Sequence, residues 1–174
     1  MIRRLVVLFV LSLGIVQAVA AAELSEDELR MKERLVALSQ GTDSLEDLRI
    51  ELADGNMVAS RTYDIAGGKI VSRIWDAPGS PEKREERSVT DEEVRRLLRE
   101  LVDKQYWTFQ GTQFTPDNTM FLFRFYYKDL QPVDYRCDVE EYKSSPQRSA
   151  VRSVLLNFVQ GSSPAAQPVT HEGF

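Results

Sequence analysis

An α+β domain is the fold this sequence predicts: an antiparallel sheet of about five strands with helices packed over one face. Strand-like segments alternate apolar and polar side chains with a period of two. Helical segments instead repeat apolar residues every three or four positions behind recognisable caps. The strand segments are joined by turn signals rather than helical crossovers, so sequential neighbours are expected to run antiparallel.

The first helix is predicted over Ser25 to Ser39. Ser25 and Glu28 have capping-box spacing, Leu24 and Leu29 are spaced as a hydrophobic staple, and Gly41 supplies the stop. Leu29, Leu35, Val36 and Leu38 give it an irregular apolar stripe. Asp47 to Leu52 alternates strictly and reads as a half-buried strand, ending at the turn signal Asp54-Gly55-Asn56. Met57 to Ile65 and Lys69 to Trp75 read as two strands of a hairpin around Ala66-Gly67-Gly68. Asp76 to Arg87 is rich in proline and charge and reads as a polar loop.

A second helix opens at Thr90, where Glu93 completes a capping box. Val94, Leu97, Leu98, Leu101 and Val102 give it one continuous apolar face. Tyr106 and Trp107 follow, placed to plug the core beneath the helix end. Strands are predicted at Met120 to Lys128 and Val133 to Val139. Phe121, Phe123, Phe125 and Tyr127 share one face of the first, and Val133, Tyr135, Cys137 and Val139 one face of the second. The last helix starts at Ser144-Ser145-Pro146 and carries the stripe Val151, Val154, Leu155, Phe158 and Val159. Hairpin followed by helix thus occurs twice, a pattern that admits a duplicated ββα unit.

The beginning of the chain has the layout of a secretory signal. Arg3 and Arg4 precede an apolar run from Leu5 to Val16, then the small residues Ala18-Val19-Ala20-Ala21-Ala22. Residues 1–20 are expected to be removed, with cleavage after Ala20 or Ala22. The apolar run is short of the roughly 20 residues a bilayer core needs, so no stable membrane insertion is expected after cleavage. Residues 23–160 then form one α+β domain. The tail 161–174 lacks periodicity and is predicted to be disordered. The expected destination is the periplasm or the exterior of a bacterium.

Charge narrows the partners. The chain holds 22 basic and 27 acidic residues, and without Arg3 and Arg4 the net charge is −7. An acidic domain has no general attraction for nucleic acid, so none is expected as a partner. The single cysteine, Cys137, has no internal partner for a disulfide and sits in an alternating strand, where burial is expected.

Catalytic motifs are sparse. The only histidine, His171, is the fourth residue from the end, too remote for a nucleophile–histidine site. One cysteine and one histidine far apart do not make a zinc site. Asp138-Val139-Glu140-Glu141 reads as a solvated acidic loop, and Ser80-Pro81-Glu82-Lys83 matches the S-x-x-K pattern of penicillin-recognising serine enzymes by chance, lacking the partner motifs S-D-N and K-T-G. No catalytic residue, metal or cofactor is assigned.

What stands out is aromatic and cationic. If helices cover the phenylalanine face, Arg124, Tyr126, Lys128 and Arg136 lie with Asp134 and Asp138 on the uncovered face. Tyrosine and arginine anchor interfaces well. The expected role is therefore a non-catalytic exported protein that binds an envelope or extracellular macromolecule, protein or glycan, as an accessory or inhibitor. Two alternatives are a carboxylate-dependent periplasmic hydrolase, which needs a cleft with an acid of raised pKa, and a structural subunit of an envelope assembly.

Overall fold

The computed structural model describes residues 24–56, 59–109 and 119–161. The expected leader, the tail with His171, and Met57 and Val58 lie outside the described residues. Helix α1 spans Glu26–Gln40. Its N-terminus is the expected box: the Glu28 amide donates to Ser25 Oγ and the Ser25 amide to Glu28 Oε2, at 3.3 and 2.8 Å. The buried stripe is Met31, Leu35 and Leu38, at i, i+4 and i+7, whereas Leu29 is 46 % exposed. Leu35 and Leu38 of the expected stripe are thus in the core and Val36 is half-buried, while Met31 takes the place expected of Leu29.

Six strands form one antiparallel sheet: β1 (Arg49–Gly55), β2 (Ser60–Ala66), β3 (Lys69–Trp75), β4 (Lys83–Ser88), β5 (Met120–Tyr126) and β6 (Val133–Asp138). Their order is β4-β3-β2-β1-β5-β6. The β2–β3 hairpin closes at Gly67 and Gly68, whose φ values of 54° and 73° fit the two-residue turn that glycine favours. All of strand β4 but Ser88 lies inside the stretch expected to be a polar loop. Its sequence Lys-Arg-Glu-Glu-Arg-Ser carries no apolar alternation because it is an edge strand, exposed along nearly its whole length. Such charged edges discourage pairing with another chain. Strand β5 stops at Tyr126, so Lys128 belongs to the β5–β6 turn and not to the sheet.

Helix α2 (Asp91–Asp103) is capped by Thr90 and Glu93 as expected and buries Val94, Leu97, Leu98 and Leu101. Its arginines fasten α1. Arg95 donates to the Leu38 and Asp43 carbonyls, and Arg99 to the Ser39 carbonyl at 3.2 Å. Cations thereby sit on the negative end of the α1 dipole. A 3₁₀ turn at Tyr106–Thr108 leads away from α2. After β6 comes a short helix, α3 (Val139–Ser144), in place of the expected acidic loop. Asp138 caps it, accepting from the Glu141 amide at 2.9 Å, which explains why this acid is only 7 % exposed. Helix α4 (Pro146–Gln160) completes the layer, with Ser145 as cap and Val151, Leu155 and Val159 buried. Four strands precede α2 but only two precede α3 and α4, so the two halves share no more than a final hairpin followed by helix.

All these helices pack on the face that carries Ile50, Leu52, Tyr63, Ile65 and Ile70 together with the β5 phenylalanines. Phe121, Phe123 and Phe125 are fully buried among Phe109, Tyr106 and Tyr135. Phe123 stacks on Tyr135 at 5.1 Å, and most other ring pairs meet edge to face. Tyr106 plugs the core as expected. Burial raises the pKa of both Tyr106 and Tyr135, and neither hydroxyl reaches a hydrogen-bond partner among the described residues. Tyr106→Phe should therefore leave stability unchanged or raise it by about 1 kcal/mol, since an unpaired buried hydroxyl costs desolvation. A lower urea midpoint for this variant would show that the hydroxyl is satisfied after all.

Candidate functional site

Strand alternation sends every second side chain of β1 to β6 to the face on which no helix packs among the described residues. The pairing registers set these residues in rows across the sheet. One row runs Glu86, Val71, Asp64, Glu51, Arg124 and Asp134 from β4 to β6. Lys69, Ala66, Arg49 and Tyr126 lie beside it on one side. On its other side lie Arg84, Arg73, Thr62, Ala53, Leu122 and Arg136, and beyond them Trp75, Ser60, Gly55 and Met120.

Around Arg49 and Arg124 the charges are satisfied within the protein. Arg49 grips Asp64 with two hydrogen bonds of 2.9 and 3.1 Å and approaches Glu51 at 2.6 Å. Tyr126 donates to Glu51 at 2.6 Å and accepts from Arg124 at 3.1 Å. Arg124 closes the chain through a two-pronged pair with Asp134. Hydrogen bonds to Asp134 and Tyr126 raise the Arg124 pKa, and the guanidinium in turn holds the Asp134 carboxyl below its ordinary value of 3.8. Arg124 and Tyr126, two of the expected binding residues, are thus brought together, but mainly to bind one another and their acids.

The other two are separated. Arg136 projects from β6, exposed, and makes no ion pair among the described residues. Lys128 stands apart in the hairpin turn, also exposed, beside Asp129 with its φ of 59°. What the residue types alone did not bring out is the other half of the face. Ala53 and Gly55, small residues on a central strand, lie between Thr62 and Ser60 on one side and Leu122 and Met120 on the other. Trp75 stands across from Ser60. None of Ala53, Thr62, Leu122, Met120 or Trp75 is fully buried. The presence of Leu122 and Met120 on the face opposite the phenylalanines was the signal for this patch.

Four carboxyls are held below their ordinary values. Asp43 is held low by the Ser44 amide and Arg34, Asp76 by Lys83, Glu93 by the Thr90 cap, and Asp134 by Arg124. Each of these carboxyls is fixed as an anion, the opposite of what a general acid needs. Burial pushes the Cys137 thiol up to about 12, and at 2 % exposure it is a small core residue as expected. Among the described residues no three His, Cys, Asp or Glu side chains group as a metal site would require. No helix among them is long and apolar enough to cross a membrane.

The Asp134 pair has a pH signature. A carboxyl whose folded pKa is depressed stabilises the fold fully above its unfolded value and loses that contribution as pH falls through the folded one. Stability should therefore decline as pH drops below 3.8, and Asp134→Asn should flatten part of that decline. Urea midpoints of both proteins across the acid range measure it. Parallel acid limbs would show that the Arg124 pair does not contribute.

No protein-family model matches the chain, and no curated protein matches it in sequence.

Proposed function

We propose that this chain is an exported, non-catalytic protein that binds another protein of the cell envelope across its uncovered sheet face. The observation that carries the reading is that face's division into two halves. One half is a closed lattice of ion pairs around Arg49, Arg124 and Tyr126. The other is a patch of small and apolar side chains, Ala53, Leu122 and Met120, with Trp75 and Arg136 at its borders.

An antiparallel sheet facing water alone usually presents polar residues. A partner side chain seated over Ala53, Leu122 and Met120 would remove this apolar patch from water. Arg136 and the rim of Lys128 supply charge for orientation, while the Arg124–Asp134 pair gives the docking surface a fixed shape. The apolar run behind Arg3 and Arg4 supports export, since it fits a cleavable leader.

The test pairs Leu122→Asp with Arg136→Glu. Both side chains lie off the core, so the double variant should keep its far-ultraviolet spectrum and unfold near the parent midpoint. Native mass spectrometry of the protein recovered from its host's envelope fraction should show a complex for the parent and a bare chain for the variant. A complex that survives the substitutions would remove this face from the interaction. Retention of residues 1–20 in the measured mass would overturn export by cleavage.

A further inference from the structure

A cavity of about 330 Å³ opens at the far end of the sheet from Trp75. It lies between the α1–β1 loop, the Gly67-Gly68 turn and the start of α2. Leu48, Ile65, Val89 and Val94 form its buried floor, and Leu45 is half-buried at its wall. Two exposed acids, Glu46 and Asp91, stand at the mouth. Its volume falls at the small end of the range for ligand pockets, which runs from about 300 Å³ upward.

Charge sets the kind of occupant. Among the described residues no lysine or arginine lines the cavity. Neither Glu46 nor Asp91 makes an ion pair among the described residues, although thirteen such pairs occur elsewhere on them. Arg95, at i+4 from Asp91 on the same helix, is committed to the carbonyls of Leu38 and Asp43. An aliphatic floor beneath two uncommitted carboxylates suits a ligand with an apolar stem and a cationic head. An anion is disfavoured by both acids, and a wholly apolar ligand would leave them unused.

We infer that this cavity binds a primary alkylammonium group, its carbon stem on Leu48, Ile65, Val89 and Val94 and its head between Glu46 and Asp91. The site is independent of the sheet-face reading, because it shares no residue with that face beyond the flank of Ala66. The same chemistry arrives on a free aliphatic amine or on a lysine side chain.

Titration of the isotope-labelled full chain with n-hexylammonium, hexan-1-ol and hexanoate, followed by amide chemical shifts, tests the inference. Hexylammonium should saturate and shift residues 44–48, 67–68 and 89–94, binding about tenfold more tightly than hexanol. Glu46→Gln with Asp91→Asn should weaken it by about tenfold, as two partly exposed charge contacts of modest strength would. Glu100→Gln, on the exposed side of α2, should leave it unchanged. Because Asp91 favours the start of α2, Glu46→Lys alone serves as the second variant and should abolish binding with the fold intact. Equal affinity for hexanol and hexylammonium, or shifts confined to other residues, would overturn the assignment. Comparison of 1,5-diaminopentane with Nα-acetyl-lysine N-methylamide then separates the two sources: the tighter binder identifies a free amine or a protein lysine.

Discussion

Phe123→Ala should cost about 3–5 kcal/mol of folding stability, the range expected for deleting a fully buried aromatic ring. Phe123 lies in β5 between Leu52 of β1 and Tyr135 of β6. Its ring is within contact range of Phe109 at 5.0 Å, Tyr135 at 5.1 Å, Phe125 at 5.6 Å and Phe121 at 6.2 Å between centroids. Removing it opens a void where the 3₁₀ turn meets the sheet, and no neighbour can refill the space without abandoning its own packing. Domains of this size are stable by only about 5–15 kcal/mol, so the variant should unfold at markedly lower urea. Leu122→Ala, one residue away on the uncovered face, should cost about 1 kcal/mol or less. Equal costs for the two would contradict the assignment of the core face.

Asp54→Ala should cost about 2 kcal/mol, mostly because it strands a cation. Arg152 of α4 reaches the sheet and meets Asp54 at 2.8 Å, with side-chain exposures of 26 % and 18 %. Its guanidinium also lies over the rings of Phe121 at 5.4 Å and Tyr142 at 4.7 Å. With Asp54 gone, Arg152 keeps its aromatic neighbours but loses the carboxylate that offsets its desolvation. Partial exposure keeps the cost below that of a wholly buried pair. Arg152→Met, which retains the apolar stem, should cost less. A double-mutant cycle should give a coupling of about 1 kcal/mol or more, and a coupling near zero would show that the contact does not hold α4 to the sheet.

Legibility in the sequence followed local chemistry. Ser25–Glu28 and Thr90–Glu93 declared two helix starts because capping boxes are written within four residues. Lys69–Trp75 was bounded correctly because a two-residue glycine turn fixes its register. Strand β4 was hidden because an edge strand buries neither face, so no alternation marks it. Helix α3 was hidden because a six-residue helix is too short to show a period, and only Asp138 at its cap hinted at it.

The candidate site was legible only in part. Placing Arg124, Tyr126 and Arg136 opposite the phenylalanines needs nothing but strand alternation. Which charges they meet depends on β1 lying between β2 and β5, a pairing between segments about 75 residues apart for Tyr126 and Glu51. Asp54 shows the same limit: its place before Gly55 reads as a turn, whereas its partner Arg152 is 98 residues away. Turn chemistry is local and ion pairing across a sheet is not.

The uncovered sheet face as a protein-docking surface is tested most directly by placing a photo-crosslinking side chain at Leu122 or Arg136, and at Arg96 or Glu100 on the helical side, in the living host. Irradiation should yield one discrete adduct, of the same size, from positions 122 and 136 and none from 96 and 100. No adduct from the sheet-face positions, or the same adduct from all four, would contradict the account.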